Sequence, residues 1–157
     1  MSKIMYEENE SGYSFMQSIY HEVGNFNNLN IRVIESIDMI ENYRDFAIRF
    51  ELVHVNEKNE IDGRYYLNVL ADESEQLVLA METIINKIVV DPPKNYTEVV
   101  FSSSEGLQTG CFWYEEDKSW YEFINVGQDE NSQLILKLTE YKKLLKLIQK
   151  AVKMINK

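Results

Sequence analysis

The side chains that most often carry catalysis are scarce in this chain of 157 residues: two histidines, His21 and His54, and one cysteine, Cys111. A histidine serves as a general base, and a thiol as a nucleophile, only with a partner group in hydrogen-bond reach. No local pattern brings Cys111 to either histidine. It lies between apolar neighbours, which predicts a packed, protonated thiol. His21 is expected to be an exposed polar residue beside Glu22, and His54 a rim residue near Phe50 and Leu52. One cysteine and two distant histidines do not supply the short ligand spacings of structural zinc. The acids of Glu115-Glu116-Asp117-Lys118 lack the spacing of a calcium loop, and the turn at 102–106 lacks the helix and lysine of a phosphate loop. No catalytic residue, metal ligand or cofactor is therefore expected.

Two other constellations could recognise a ligand or a partner. The run GCFWYEEDKSWYEF, residues 110–123, holds two Trp, two Tyr and two Phe around an acidic turn. In a hairpin, alternation puts Trp113 with Cys111 and Thr109 on one face, and Phe112 with Tyr114 on the other. On the return strand Trp120, Glu122 and Ile124 share a face opposite Tyr121 and Phe123. Both faces are then aromatic, so the hairpin is either covered twice or keeps one face for a partner. Base stacking is one use of such rings, contributing ~1–3 kcal/mol per base where cations also hold the backbone. Here Glu115, Glu116, Asp117 and Glu122 stand where those cations are needed. A protein partner, or a second copy of the chain, fits better, with Trp113, Tyr114, Trp120 and Tyr121 as the expected contact residues. The second constellation is basic. Arg49 and Arg64 neighbour Glu51, Tyr66 and Asn68 on a sheet face, and Lys142, Lys146 and Lys153 lie on a terminal helix. Cross-strand pairing and a solvated helix face are the plainer accounts of them, and anion binding by either set is the alternative.

The elements that must position these groups are legible from periodicity. Phe15, Met16, Ile19, Tyr20 and Val23 recur at helical spacing, Ser14 to Gln17 fits a capping box and Gly24 a stop, which predicts a short helix over 14–23. A strand is the rival, because Tyr13, Phe15, Gln17 and Ile19 also alternate. Residues 31–40, 45–55 and 64–71 read as three antiparallel strands. Asp72 with Glu75 starts a helix whose stripe is Leu77, Met81, Ile84, Ile85 and Ile88, and Pro92-Pro93 ends it. Then 96–103, 107–114 and 119–126 form a second meander, 132–139 is a fourth strand or a run-in, and 140–157 is an amphipathic helix.

Length and composition suit one domain over residues 1–157, built from two architecturally similar halves joined near Pro92-Pro93. Sixteen Lys and Arg against 26 Asp and Glu give a formal charge of −10, which opposes generic nucleic-acid binding. Residues 96–130 carry eight acids and one base, whereas 131–157 carry seven lysines and one acid. No apolar run approaches the ~20 residues of a membrane span, and the N-terminus has no signal core, so a cytoplasmic protein without a membrane partner is expected. A single cysteine agrees with a reducing compartment.

The predicted order α-βββ-α-βββ(β)-α in a small acidic chain resembles the type III secretion chaperones, which implies a homodimer that binds unfolded protein segments. The ending LILKLTEYKKLLKLI after a meander resembles the positive-cofactor and Whirly classes of single-stranded DNA binders, which implies nucleic-acid binding. The fold expected is α+β, an antiparallel meander sheet with amphipathic helices on one side. The function expected is a non-enzymatic interaction or chaperone-like domain, self-associating or bound to a protein. The alternatives are single-stranded nucleic-acid binding, and an enzyme or binding protein for a small anionic ligand at Arg49 and Arg64.

Overall fold

The computed structural model describes residues 12–157. Four strands, β1 (Met16–Phe26), β2 (Leu29–Asp38), β3 (Tyr43–Val55) and β4 (Ile61–Leu70), lead into helix α1 (Ala71–Thr83). Strands β5 (Glu98–Ser102), β6 (Gln108–Tyr114), β7 (Ser119–Asn125) and β8 (Gln133–Leu136) then lead into α2 (Leu138–Ile155). Each set of four forms an antiparallel sheet in chain order. The fold is thus α+β, as the periodicity implies, with ββββ-α-ββββ-α in place of an initial helix. No helix among the described residues is long and apolar enough to cross a membrane.

The first element is the main correction. Residues 16–26 are a strand because β2 supplies a partner along their whole length, from Met16 opposite Asp38 to Phe26 opposite Leu29. A bulge between Glu22 and Gly24 inserts Val23 into the ladder and shifts the phase of the alternation. Ile19, Val23 and Phe26 therefore turn to one side of the sheet at i, i+4 and i+7, a spacing that imitates a helix. Gly24 serves close packing instead of a helix stop: a Cβ there would lie 2.8 Å from Leu147 Cδ2 of α2. With a strand first, the element order behind the resemblance to the secretion chaperones is absent.

One face of the first sheet is built from alternate residues Leu29, Ile31 and Val33 of β2, Ile48, Phe50 and Leu52 of β3, and Val69 of β4, all buried. The helices pack on this face, and α2 also reaches β7 of the second sheet. Its buried stripe is Tyr141, Leu144, Leu145, Ile148 and Ala151. The buried cluster takes side chains from both halves, from Val23 and Ile31 through Leu77 to Ile124 and Ile148.

Two helix boundaries differ from the reading above. Helix α1 opens at Leu70 with no side-chain cap. The capping role predicted for Asp72 and Glu75 is not seen, and Glu73 of the first turn instead accepts from the Ser104 amide (2.9 Å) and hydroxyl of the β5–β6 turn. At its other end, regular α geometry stops at Thr83 and a π-helical turn, Ile84–Ile88, follows, closed by Val89 N–H donating to Ile84 O at 3.0 Å. The segment 132–139 divides between the short strand β8 and the start of α2. There Glu140 accepts from the Lys137 amide at 2.9 Å, the acid half of a capping box.

The second sheet depends on one glycine. Gly110 lies opposite Val100, and a Cβ on it would meet Val99 O at 1.9 Å. Gly110→Ala is expected to push β5 off β6 and to lower stability by about 2–3 kcal/mol, read as a lower urea midpoint at unchanged slope. Gly106→Ala is the control: it faces open space at φ +101° and should cost only ~1 kcal/mol.

Candidate functional site

The two faces of the aromatic hairpin separate cleanly. Register puts Trp113 opposite Trp120 and Cys111 opposite Glu122, all directed to the inner face with Thr109 and Ile124. The two indoles meet edge to face with centroids 5.5 Å apart. Trp113 is buried and Trp120 half-buried, and the Trp120 Nε1–H donates to Asp91 O at 2.9 Å. Deeper on this face Thr109 Oγ1 donates to Phe123 O (2.8 Å), which leaves Tyr141 to donate to Thr109 across the core at 2.9 Å. Tyr141 is fully buried, and burial raises its pKa.

Phe112, Tyr114, Tyr121 and Phe123 point the other way. Tyr114 and Tyr121 stack with centroids 5.0 Å apart and an 18° interplanar angle, and Phe112 touches Tyr121 edge-on at 5.6 Å. Val100 and Ile135, each about half exposed (47% and 49%), extend the apolar surface to the flanking strands. The tyrosine hydroxyls donate to Glu116 (3.0 Å) and Asp117 of the turn, and these bonds to carboxylates raise both phenol pKa values. Lys118 completes the turn at φ +51°.

Beside the indoles runs a groove of about 740 Å³ between the hairpin, the segment after α1 and the start of α2. Trp113 and Trp120 line one side, Val89 to Pro92 the second and Leu136 to Leu138 the third. Glu122 also lines it, yet is only 3% exposed. No ion pair or side-chain hydrogen bond reaches its carboxylate among the described residues. Burial pushes its pKa up to about 7, opposed only by a bond from its own backbone amide. The neighbouring Cys111 is fully buried and its thiol is pushed up to about 12, first by burial and then by Glu122, so it stays protonated and unreactive.

The basic residues do not converge. Arg49 lies on the far face of the first sheet between the rings of Tyr20 (5.4 Å) and Tyr66 (4.6 Å), donating to Asn68 Oδ1 at 3.0 Å. Arg64 is exposed on the same face, opposite Val53. Lys142 and Lys146 are exposed on α2, which packs against the opposite face of that sheet. On the arginine side Arg32 bridges Glu22 and Glu51, so acids surround the ladder. His21 faces Glu35 at 3.0 Å and not Glu22, and His54 pairs with Asp62. No group of three or more His, Cys, Asp or Glu suited to a metal ion occurs among the described residues.

Sequence reasoning missed Glu122 as a buried group and missed Asp91, Val89 and Ile135 altogether. An acid alternating with Trp120 and Ile124 was the available signal. A carboxyl whose folded pKa, about 7, exceeds its ordinary value of 4.5 holds an extra proton in the native state between those values. That stabilisation is present below about pH 4.5 and is lost as pH rises through 7. Glu122→Gln is therefore expected to raise stability above pH 8 by on the order of 2–3 kcal/mol, and to flatten the slope of urea stability against pH between 5 and 7. An unchanged slope would refute the assignment. The chain matches no protein-family model and no curated protein, so its function is read from these side chains.

Proposed function

We propose that the chain is a non-enzymatic interaction domain of the cytoplasm that binds a basic protein partner on the outer face of β5–β8. The observation that carries this reading is an aromatic surface with half-buried rings, flanked by the exposed Val100 and Ile135. Phe112, Tyr114, Tyr121, Val100 and Ile135 are contiguous across four strands, and the strand residues on this face include no lysine or arginine. Glu98, Glu116 and Asp117 rim it, each accepting a hydrogen bond from a tyrosine hydroxyl, of Tyr96, Tyr114 and Tyr121 in turn. Aromatic centres with a charged rim are the anatomy of a protein contact, and rings held by stacking and hydrogen bonds lose little entropy on binding. A second copy of the chain would set these acids against themselves. A partner with lysine or arginine around an apolar centre fits better.

A second reading is single-stranded nucleic acid, favoured by the ladder Tyr20–Arg49–Tyr66 on the face of the first sheet turned away from the helices. Ring and guanidinium planes of this kind accept stacked bases. The formal charge of −10 and the acids Glu22 and Glu51 beside the ladder oppose it.

The experiment for the first reading replaces Tyr121 and Ile135 with Ser, two residues at the solvent side of the sheet, and compares both proteins as bait in extract of the native host. A high-pI protein retained by the wild type and reduced at least tenfold on the folded variant is the expected result. Light scattering alongside should give a concentration-independent mass; a mass that doubles for the wild type alone would identify self-association instead. For the second reading, labelled oligothymidylate should show no anisotropy change at 50 mM salt, and salt-sensitive binding abolished by Tyr66→Ala would reverse the order of the two.

A further inference from the structure

We propose that the groove between β7, α2 and the segment after α1 is a binding site for an organic cation, an ammonium group on an apolar stem, with the Glu122 carboxylate as its counter-ion and the two indoles as its walls. The site lies on the inner side of the hairpin, so it stands or falls independently of the outer face.

The argument begins from cost. A carboxyl held out of bulk water with only its own backbone amide as a partner is costly to a fold, and such groups cluster at sites. Glu122 is 97% buried, yet it faces a groove large enough for a small molecule. Its surroundings on every side lack a compensating charge. Cys111 opposite it on β6 is protonated, Leu136 opposite it on β8 is apolar, and the phenol of Tyr141 from α2 is occupied with Thr109. Lys118 and Lys137 stand exposed at the rim, with their head groups in water.

The remaining features select the sign of the ligand. The start of α2 could attract an anion, but Glu140 already places a carboxylate in its first turn, accepting from the Lys137 amide. Asp91 faces the groove with its carbonyl, which is used by Trp120. With Asp91, Glu122 and Glu140 against Lys118 and Lys137, the lining is net negative by one. Trp113 and Trp120 present edge and face at 72° to each other, and indole is the best of the aromatic surfaces for a cation. Val89, Pro92 and Leu138 supply the apolar contacts for the stem.

The test is a titration of the full chain followed by amide chemical shifts, with phenethylamine, the neutral 2-phenylethanol and the anion phenylacetate as probes. Phenethylamine should shift groove amides from 118–122 and 136–138, and bind at least tenfold more tightly than either of the others. Only the ionised form of Glu122 is competent. With its carboxyl titrating at about 7, the amine should bind about tenfold more tightly at pH 8 than at pH 6, with proton release near neutrality. Glu122→Gln, which keeps the shape and removes the burial penalty, should lose at least tenfold in amine affinity and lose the pH dependence. A blocked Gly-Lys-Gly peptide separates the sources: binding of the peptide assigns the site to a lysine side chain of a partner, and binding of phenethylamine alone assigns it to a free amine. Equal affinity for amine and alcohol, an unchanged Glu122→Gln variant, or the absence of any shift at these amides overturns the proposal. The comparison among the three probes needs no variant.

Discussion

Both sheets pack inner-face side chains against one helix, α2. The stripe of α2 places Leu144 and Ile148 at zero exposure, and each side chain of this kind removed from water contributes about 1.5–3 kcal/mol. Leu147 fits over Gly24 of the first sheet, while Tyr141 reaches across to Thr109 of the second. The tyrosine hydroxyl is satisfied through Thr109 and Phe123 O on the second-sheet side, while Lys150 Nζ donates to Val23 O at 3.0 Å on the first-sheet side. An unpaired hydroxyl at that depth would cost about 1–3 kcal/mol, so the hydrogen bond fixes the rotation of α2 against the second sheet. The floor of the groove, Leu136 to Leu138, is set by that same rotation.

Much of this arrangement was legible in the sequence because its periods are strong. Phe46, Ile48, Phe50 and Leu52 alternate on β3 as a half-buried strand must, and Leu144, Leu145 and Ile148 repeat as a buried helix face. The division of the hairpin into an indole face and a phenol face followed from a period of two alone. What failed were places where tertiary context replaces local preference. The bulge at Val23 made a strand count like a helix, and Asp72 with Glu75 looked like a cap whose neighbour Glu73 is instead drawn off by Ser104.

The candidate sites were less legible, for a physical reason. Trp113 and Tyr114 are adjacent in sequence, but only the pairing of strands decides that one meets Trp120 in the interior while the other stacks on Tyr121 outside. Glu122 looked like one more acid in an acidic stretch, and its burial depends on Leu136 from β8 and on α2, which arrive later in the chain. Arg49 and Arg64 share a face of the first sheet, as alternation implies. Tyr20, on the strand whose spacing imitates a helix, joins Tyr66 and Asn68 in engaging the Arg49 guanidinium.

The edge-to-face pair in the groove has a spectroscopic meaning. Trp113 and Trp120 are the chain's two tryptophans, and both line the same cleft within 5.5 Å of each other. Their emission is therefore coupled and comes from one place. The intrinsic fluorescence of this protein is a local signal, sensitive to what enters beside Glu122 and to whether Asp91 still holds the outer indole. Movement of the outer tyrosines would leave it nearly silent.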